Sequence, residues 1–335
     1  MSILKLGVDV GNSDTKSQNT SIASGYQKYA NKPLIAKKIL EYENQYYVAE
    51  DEYRFPPKKD KMENDHCFIL TLMSIAEEIM FQLHEKLGTC NPELLQKKIS
   101  EISEIKLGIG LPPGHFSDPL KGAASLTKYY EEKFSDGIIF NYDGFDFSFK
   151  VSKIRAFPQD FIAMYSCPDA FIPKHYKSSK YTIIGIGGGT TDIVPIINNT
   201  PDVNNCRSLI MGSRIMYDKI ISSVQRNTGE ALLESDIERV LMGEMTILPA
   251  QIKEIIKSSA DDFAKNIIDT VSQSGVNFIS TPIVFFGGGC LLIKETLNDI
   301  MKTIHPETTS ETEQQYWEFV SDRNANAKAY AKFVD

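Results

Sequence analysis

An α/β protein built from two similar halves is the fold class this sequence predicts, and three observations carry the prediction. A strand–glycine turn–strand unit opens each half, "SILKLGVDVGNSDTKSQ" near residue 10 and "YTIIGIGGGTTDIVPII" at 181–197. Between and after these units, apolar runs of strand character alternate with long stretches of helical period. A second glycine turn in the later half, "TPIVFFGGGCLLIKETLNDIMKTI", reads as strand, triple glycine, helix.

The elements follow in order. "KKILEYENQYYVAED" places aromatic β-formers around a turn at Glu43-Asn44-Gln45. "EDEYRFPPKKDKMENDH" is charged, contains prolines and lacks an apolar period, so a surface loop is expected. From "CFILTLMSIAEEIMFQLHEKLG" apolar residues recur at helical spacing until Gly88, a C-cap candidate. "EIKLGIGLPP" is a strand ended by prolines, and "DPLKGAASLTKYYEEKF" holds a short helix. "GIIFNYDGFDFSFKVSKIRAFP" alternates around Asp-Gly, a hairpin signal. "QDFIAMYSCPDAF" is expected to be a helix crossing into the second half. After the 181–197 hairpin, helices are expected in "SLIMGSRIMYDKIISSVQRNTG", "EALLESDIERVLMG" and "ILPAQIKEIIKSSADDFAKNIIDTVSQSG".

Bulk numbers bound the function. A chain of 335 residues suits about two domains. A hydrophobic content of 42% with 24% charged residues is ordinary for a globular core. The net charge of -8 provides no global basic field to recruit nucleic acid or an anionic membrane. Five scattered cysteines (67, 90, 167, 206, 290) lack metal-knuckle or redox spacing, so reduced cytoplasmic thiols are expected. The histidines at 66, 84, 115, 175 and 305 are scattered and receive no role. Asp9 interrupts the first apolar run, which argues against a secretory leader, and nothing is expected to approach a membrane span in length.

Each glycine turn alone is a weak signal. "VDVGNSDTK" lacks the Walker spacing, and "GIGGGT" runs back into a β-branched strand containing Pro195, unlike the strand-to-helix turn of a dinucleotide site. A hairpin tip presents bare backbone N–H groups and hydroxyls, which suit phosphate. The order of the set is more specific: an acidic residue and a lysine about the first turn, Pro-Gln near 159, Gly-Gly-Gly-Thr-Thr-Asp near 189, and strand–GGG–helix near 288. In that order the chain resembles the actin, heat-shock chaperone and sugar-kinase superfamily. The resemblance implies an actin-like fold, two similar α/β domains (ribonuclease H-like) flanking a nucleotide cleft, with boundaries at 1–160 plus 310–335 and at 161–309. Within the superfamily the chain is similar to the plasmid-segregation actins of ParM/StbA type. "VDVGNSDTK" resembles their Asp-x-Gly-x-x-x-x-Lys segment; "NQYYVAED" resembles Asn-Gly-x-Tyr-x-Val-Gly-Glu with Ala49 for glycine. "LGIGLPPGHF" resembles their Gly-Leu-Pro strand end, "YDGFDFSFKVSKIRAFPQDFIAMY" their hairpin followed by Pro-Gln/Glu, and "RNANAKAYAKF" an Ala-Asn-Ala-Arg-Gly-Tyr ending with Ala329 for glycine.

The resemblance implies nucleotide hydrolysis, which requires held phosphates, a charge-neutralising cation and an oriented water. Amides and hydroxyls of Gly11, Asn12, Ser13 and Thr15, with Lys16 as a point charge, are the phosphate candidates on the first turn. Gly187, Gly188, Gly189, Thr190 and Thr191 are their counterparts on the second, and Gly287, Gly288 and Gly289 complete the glycine set. Asp9 and Asp192 are the expected Mg²⁺ donors, through retained waters, and both join Gln159 as catalytic candidates. Gln159 occupies the position where relatives orient the attacking water, and an amide can both donate to and accept from that water. Gly212, Asp218 and Lys219 lie where relatives hold ribose and adenine, although a solvated helix face explains Asp218 and Lys219 equally well. One departure concerns metal handling: relatives commonly carry an aspartate where this chain has Gly185.

Three functions remain open on the sequence. The first is an ATPase (ATP or GTP, with Mg²⁺) that polymerises with itself and moves plasmid DNA through a small DNA-binding adaptor on a centromere-like site, in the cytoplasm, without direct nucleic-acid or membrane contact. The second is a small-molecule kinase acting on a sugar or acid, which needs a carboxylate base; Asp160 stands beside Gln159. The third is a scaffold that binds nucleotide and hardly turns it over.

Overall fold

The computed structural model describes residues 3–55, 61–88, 91–116, 118–165, 180–309 and 316–335. Two compact units divide the chain: residues 1–169 with 324–335, and residues 170–323.

In the first unit β1 (Leu4–Val10), β2 (Asp14–Lys16) and β3 (Ser21–Ala23) are followed by β4 (Gly25–Tyr29), β5 (Ile39–Tyr42) and β6 (Gln45–Arg54). Next come α1 (His66–Leu87), α2 (Pro92–Ser100), β7 (Glu104–Leu111), α3 (Ala123–Lys133), β8 (Ile138–Tyr142) and β9 (Phe145–Pro158). The second unit contains β10 (Lys180–Ile186), β11 (Thr191–Ile197), β12 (Thr200–Pro201), β13 (Arg207–Leu209), α4 (Ser213–Thr228), α5 (Glu234–Leu241) and α6 (Ala250–Gln273). It closes with β14 (Ile283–Phe286), α7 (Gly288–Leu292), α8 (Lys294–Ile304) and β15 (Trp317–Phe319), and α9 (Ala325–Phe333) returns to the first unit.

Sheet order exposes the duplication. Among the described residues the first sheet runs β3-β2-β1-β7-β9-β8-β5-β6-β4 and the second β12-β11-β10-β14-β15. In both, a strand turns back antiparallel on itself and then gains two parallel neighbours: β2-β1-β7-β9 matches β11-β10-β14-β15. The expected return to the first unit at residue 310 comes too early. Trp317–Phe319 pair with β14, so the chain re-enters the first unit at Asn324.

The turns follow their chemistry. Glu43 and Asn44 have φ 51° and 57°, and Asp143 and Gly144 have φ 51° and 91°, the left-handed pairs that close two-residue hairpins without splaying the strands. Gly88 ends α1 in the left-handed region, as expected of a C-cap. Two expectations change. The segment from Glu50 begins as strand, because β6 runs to Arg54 against β4. Gln159 begins no α-helix among the described residues; a turn through Asp160 (φ 61°) leads into a short 3-10 stretch at Ile162–Tyr165, and the rest of "QDFIAMYSCPDAF" lies outside the described residues.

Alternation along β1 and β7 places two helices on opposite sides of the sheet. Leu6, Val8, Ile105, Leu107 and Ile109 are buried in one core with α1. Gly7 and Gly108, cross-strand partners, face α9 instead. A Cβ on Gly108 would lie 2.7 Å from the Tyr330 carbonyl oxygen, so α9 rests directly on the sheet backbone. The second core packs α4, α5, α6 and α8 against β10 and β14. By length and composition α1 could cross a membrane, having 22 residues and a window of mean hydropathy 1.3, contrary to the expectation that nothing approaches a span. Since 67% of that window is buried inside the first unit, core packing accounts for its apolarity.

Candidate functional site

Three adjacent parallel strands of the first unit, β1, β7 and β9, end side by side, and the carboxyl edge of parallel strands is where α/β sheets place ligands. Gln159 follows β9 immediately, and its backbone N–H donates to the Leu111 carbonyl (2.8 Å) at the end of β7. Its side-chain Nε2 donates to Asp9 Oδ1 at 2.5 Å. Asn326 Nδ2 donates to the other Asp9 oxygen (3.1 Å) and to Asp160 Oδ1 (3.2 Å), and Asn326 Oδ1 accepts the Asp160 N–H (2.8 Å). The structure thus brings together Asp9 and Gln159, 150 residues apart in the chain.

The first turn is built to be tight. Gly11 N–H donates to both the Asp9 and Asp14 carbonyls at 3.1 Å, and a Cβ there would be 2.7 Å from Asp14 O. Among the described residues the Ser13 amide donates to no backbone carbonyl, whereas the Gly11 amide is already engaged. Lys16 lies directly across the hairpin from Asp9, partly exposed. Thr15 corrects an expectation: pairing turns it inward, it is fully buried, and its hydroxyl bonds Ser24 Oγ at 2.9 Å. Below the turn, buried Glu78 accepts from Ser17 Oγ, the Asn19 amide and Asn19 Nδ2, and Asn324 Nδ2 donates to Ser17 O, which locks the hairpin to α1 and to the start of α9.

The second turn has the same construction. Gly187 N–H donates to Thr190 O (2.9 Å), while the Gly188 and Gly189 amides donate to no backbone carbonyl among the described residues. The start of α4 rests on this turn: Ser213 N–H donates to Gly187 O and Arg214 N–H to Gly188 O, both at 2.9 Å. A Cβ on Gly212 would be 2.4 Å from Gly188 O, so close backbone approach accounts for that glycine. Thr191, like Thr15, is fully buried, and its hydroxyl donates to Met211 O (2.5 Å) rather than facing a ligand. Thr190 remains partly exposed, with its hydroxyl donating to Asp192 Oδ2 (3.2 Å). Gly185 and Asp192 are directly opposed across the hairpin. Opposed residues share a sheet face, so Asp192 stands on the same rung and face as Gly185, one strand away.

The remaining candidates separate. Gly287 (φ 92°) and Gly289 pack on Ile186, with would-be Cβ distances of 2.6 Å in each case, which is a packing role; around Gly288 nothing lies within 4 Å. Asp218 and Lys219 are exposed on α4, roughly 10 Å along the axis from Gly212 at 1.5 Å per residue. Lys219 is engaged by Asp262 of α6 (3.4 Å), and the structure does not bring either residue to the glycine turn.

Three contributors escaped the sequence reading. Asn326 is one. Lys61 is the second: its ammonium donates to the carbonyls of Val10 (3.0 Å) and Gly110 (2.9 Å), placing a cation at the ends of β1 and β7. Tyr330 is the third, fully buried and stacked on Phe157 (ring centroids 5.6 Å apart), with a phenol pushed well above its ordinary pKa by burial and then by Asp9 and Asp160. The tail "RNANAKAYAKF" held the signal for the first and third, but only the fold shows α9 lying on β1 and β7. A depression of about 380 Å³ lined by Glu104, Phe134, Asp136 and Lys150 lies at the start of β7, the opposite edge from this cluster.

For a divalent cation, the test is the donor set. Among the described residues no three His, Cys, Asp or Glu side chains converge, so an all-protein cage does not fit. Asp9 fits an outer-sphere role: each oxygen accepts one amide and keeps acceptor capacity for a metal-bound water. Cys67, Cys206 and Cys290 form no disulfide among the described residues; Cys90 and Cys167 lie outside the described residues.

Comparisons with known proteins agree on one architecture. Residues 183–299 match the family model for the C-terminal domain of the archaeal actin homologue MreB-like. An archaeal actin homologue, Ta0583, solved in complex with ADP, superposes with a TM-score of 0.66 at 17% identity, over 98% of each chain. This is an actin-like fold. The actin-like chain also resembles Bacillus thuringiensis ParM with ATP (TM-score 0.67, 12% identity, 100% of this chain and 98% of that one). The AlfA filament bound to AMPPNP gives 0.51 at 17% identity, over 89% and 86%. No curated protein sequence matches the actin-like chain.

Proposed function

We propose that this actin-like chain is a nucleoside-triphosphatase whose polymerisation with itself is governed by its nucleotide, and that it moves plasmid DNA through a DNA-binding adaptor. The observation that carries the reading is the Gln159–Asp9 contact at the carboxyl edge of β1, β7 and β9. It supplies an amide that can orient water beside a carboxylate that can hold a hydrated Mg²⁺, the two needs of phosphoanhydride hydrolysis apart from phosphate binding. In the first unit phosphate is assigned to the amide of Ser13 and the charges of Lys16 and Lys61, and in the second to the amides of Gly188 and Gly189. Asp192 is the outer-sphere candidate of the second unit. A bound Mg²⁺ supplies charge neutralisation; orienting water and holding phosphate fall to the chain's own groups.

Support for nucleotide and polymer comes from the relatives, solved as an ADP complex, an ATP complex and a filament. A head-to-tail contact repeated without closure propagates as a filament. The acidic balance of the chain suits a protein that reaches DNA through a partner. Against the kinase reading, Asp160 is only 8% exposed and accepts from Asn326, poorly placed to deprotonate a substrate hydroxyl. Light scattering of the purified chain with ATP, read together with phosphate release in the absence of any acceptor, tests the proposal. A concentration-dependent rise with turnover is expected; turnover only with an added sugar or acid overturns it.

A further inference from the structure

We propose that Asn326 is a positioning residue that sets Asp9 and Gln159 for the reaction. The inference rests on the hydrolysis reading above.

Asn326 is 6% exposed and stands near the start of α9, the helix laid on the glycine face of β1 and β7. Three of the four hydrogen-bonding positions of its amide are used. The oxygen accepts the Asp160 N–H, which leaves the nitrogen facing two carboxylates, and Nδ2 gives one bond to Asp9 and one to Asp160. That orientation follows from the network, because a flipped amide would set its oxygen against both carboxylates. Gln159 holds the opposite oxygen of Asp9, so Asn326 and Gln159 grip one carboxylate from two sides and determine its rotation. Any hydrated cation at Asp9, and any water at Gln159, then takes its place from an arrangement that Asn326 closes.

One helical turn on, Tyr330 anchors the same face of α9. Its ring stacks on Phe157 at an interplanar angle of 3°, and its hydroxyl would lie 2.0 Å from a Cβ at Gly110. Asn326 is therefore delivered by a helix with little room to shift, which distinguishes a positioning amide from a surface residue that happens to reach a carboxylate.

The test uses the full-length chain and two substitutions. Asn326→Asp keeps shape and the acceptor for the Asp160 amide but loses the donor to Asp9; Asn326→Ala loses both. Phosphate release is measured against ATP concentration, ADP affinity by calorimetry, and folding by thermal melting. Both variants are expected to lower kcat about tenfold or more while KM and ADP affinity stay within about twofold, since misorientation costs turnover rather than binding. If the Ala variant fails to fold, Asn326→Leu, neutral, of similar size and without a donor, takes its place. Loss confined to the Asp variant marks added charge as the cause and overturns the inference, as does unchanged kcat in both or an equal fall in kcat and ADP affinity. A wild-type chain that releases no phosphate removes the hydrolysis reading and this inference with it, whereas wild-type turnover with unaffected variants removes the inference alone.

Discussion

At the scale of single residues, β-pairing assigns different roles to neighbouring polar side chains. Thr15 and Thr191 spend their hydroxyls on Ser24 and Met211 inside the protein, whereas Gln159 and Asp192 stay at the edge. Thr15→Val is therefore expected to leave ADP affinity within about twofold while lowering stability by about 1 kcal/mol, from the loss of one buried hydrogen bond. Calorimetry with a denaturant titration separates the two effects. Gln159→Ala is expected to reduce phosphate release roughly 100-fold with little change in ADP affinity, as loss of a water-orienting group does. Asp192→Ala is expected to bind nucleotide and release phosphate slowly. An unchanged rate in that variant removes Asp192 from the mechanism and leaves Gly185 uncompensated.

At the scale of elements, two features give stability predictions. Alpha-helix α9 approaches β1 and β7 only because Gly7 and Gly108 carry no side chain. Gly108→Ala places a methyl against the Tyr330 backbone and is expected to cost about 1–3 kcal/mol by overpacking, read by denaturant titration. The edge strand β15 carries Glu318, half-buried, whose pKa burial raises from 4.5 to about 7. The folded state thus holds this proton more tightly than the unfolded chain does, so its contribution is present below about pH 4.5 and is lost as pH rises through about 7. Glu318→Gln is expected to flatten the stability profile across that window and to raise the melting temperature at pH 8. A variant with the wild-type pH profile would show that Glu318 is solvated.

At the scale of the whole molecule, the matching strand orders β2-β1-β7-β9 and β11-β10-β14-β15 make the chain a duplication of one plan, each copy offering a glycine turn where its first strand doubles back. A self-associating protein that senses nucleotide is expected to show light scattering that rises above a threshold concentration with ATP and decays as phosphate is released. Absence of any rise across a wide concentration range counts against the polymer.

Local chemistry made much of this molecule legible. Asp-Gly and Glu-Asn forced hairpins because few residues tolerate positive φ, Gly88 stopped α1 because it can turn left-handed, and the β-branched run after Gly189 forced a return strand where a dinucleotide site needs a helix. Those preferences act within a few residues, so sequence alone determined most of the elements, the glycine turns and the paired plan. Packing decided what remained. Which threonine points inward depends on strand register, Asn326 meets Asp9 only because α9 crosses 317 residues of chain to lie on a glycine face, and Lys61 reaches β1 and β7 from a loop without periodicity. Contacts between distant parts of a chain carry no local signature, and only the folded backbone brings their partners within hydrogen-bond reach.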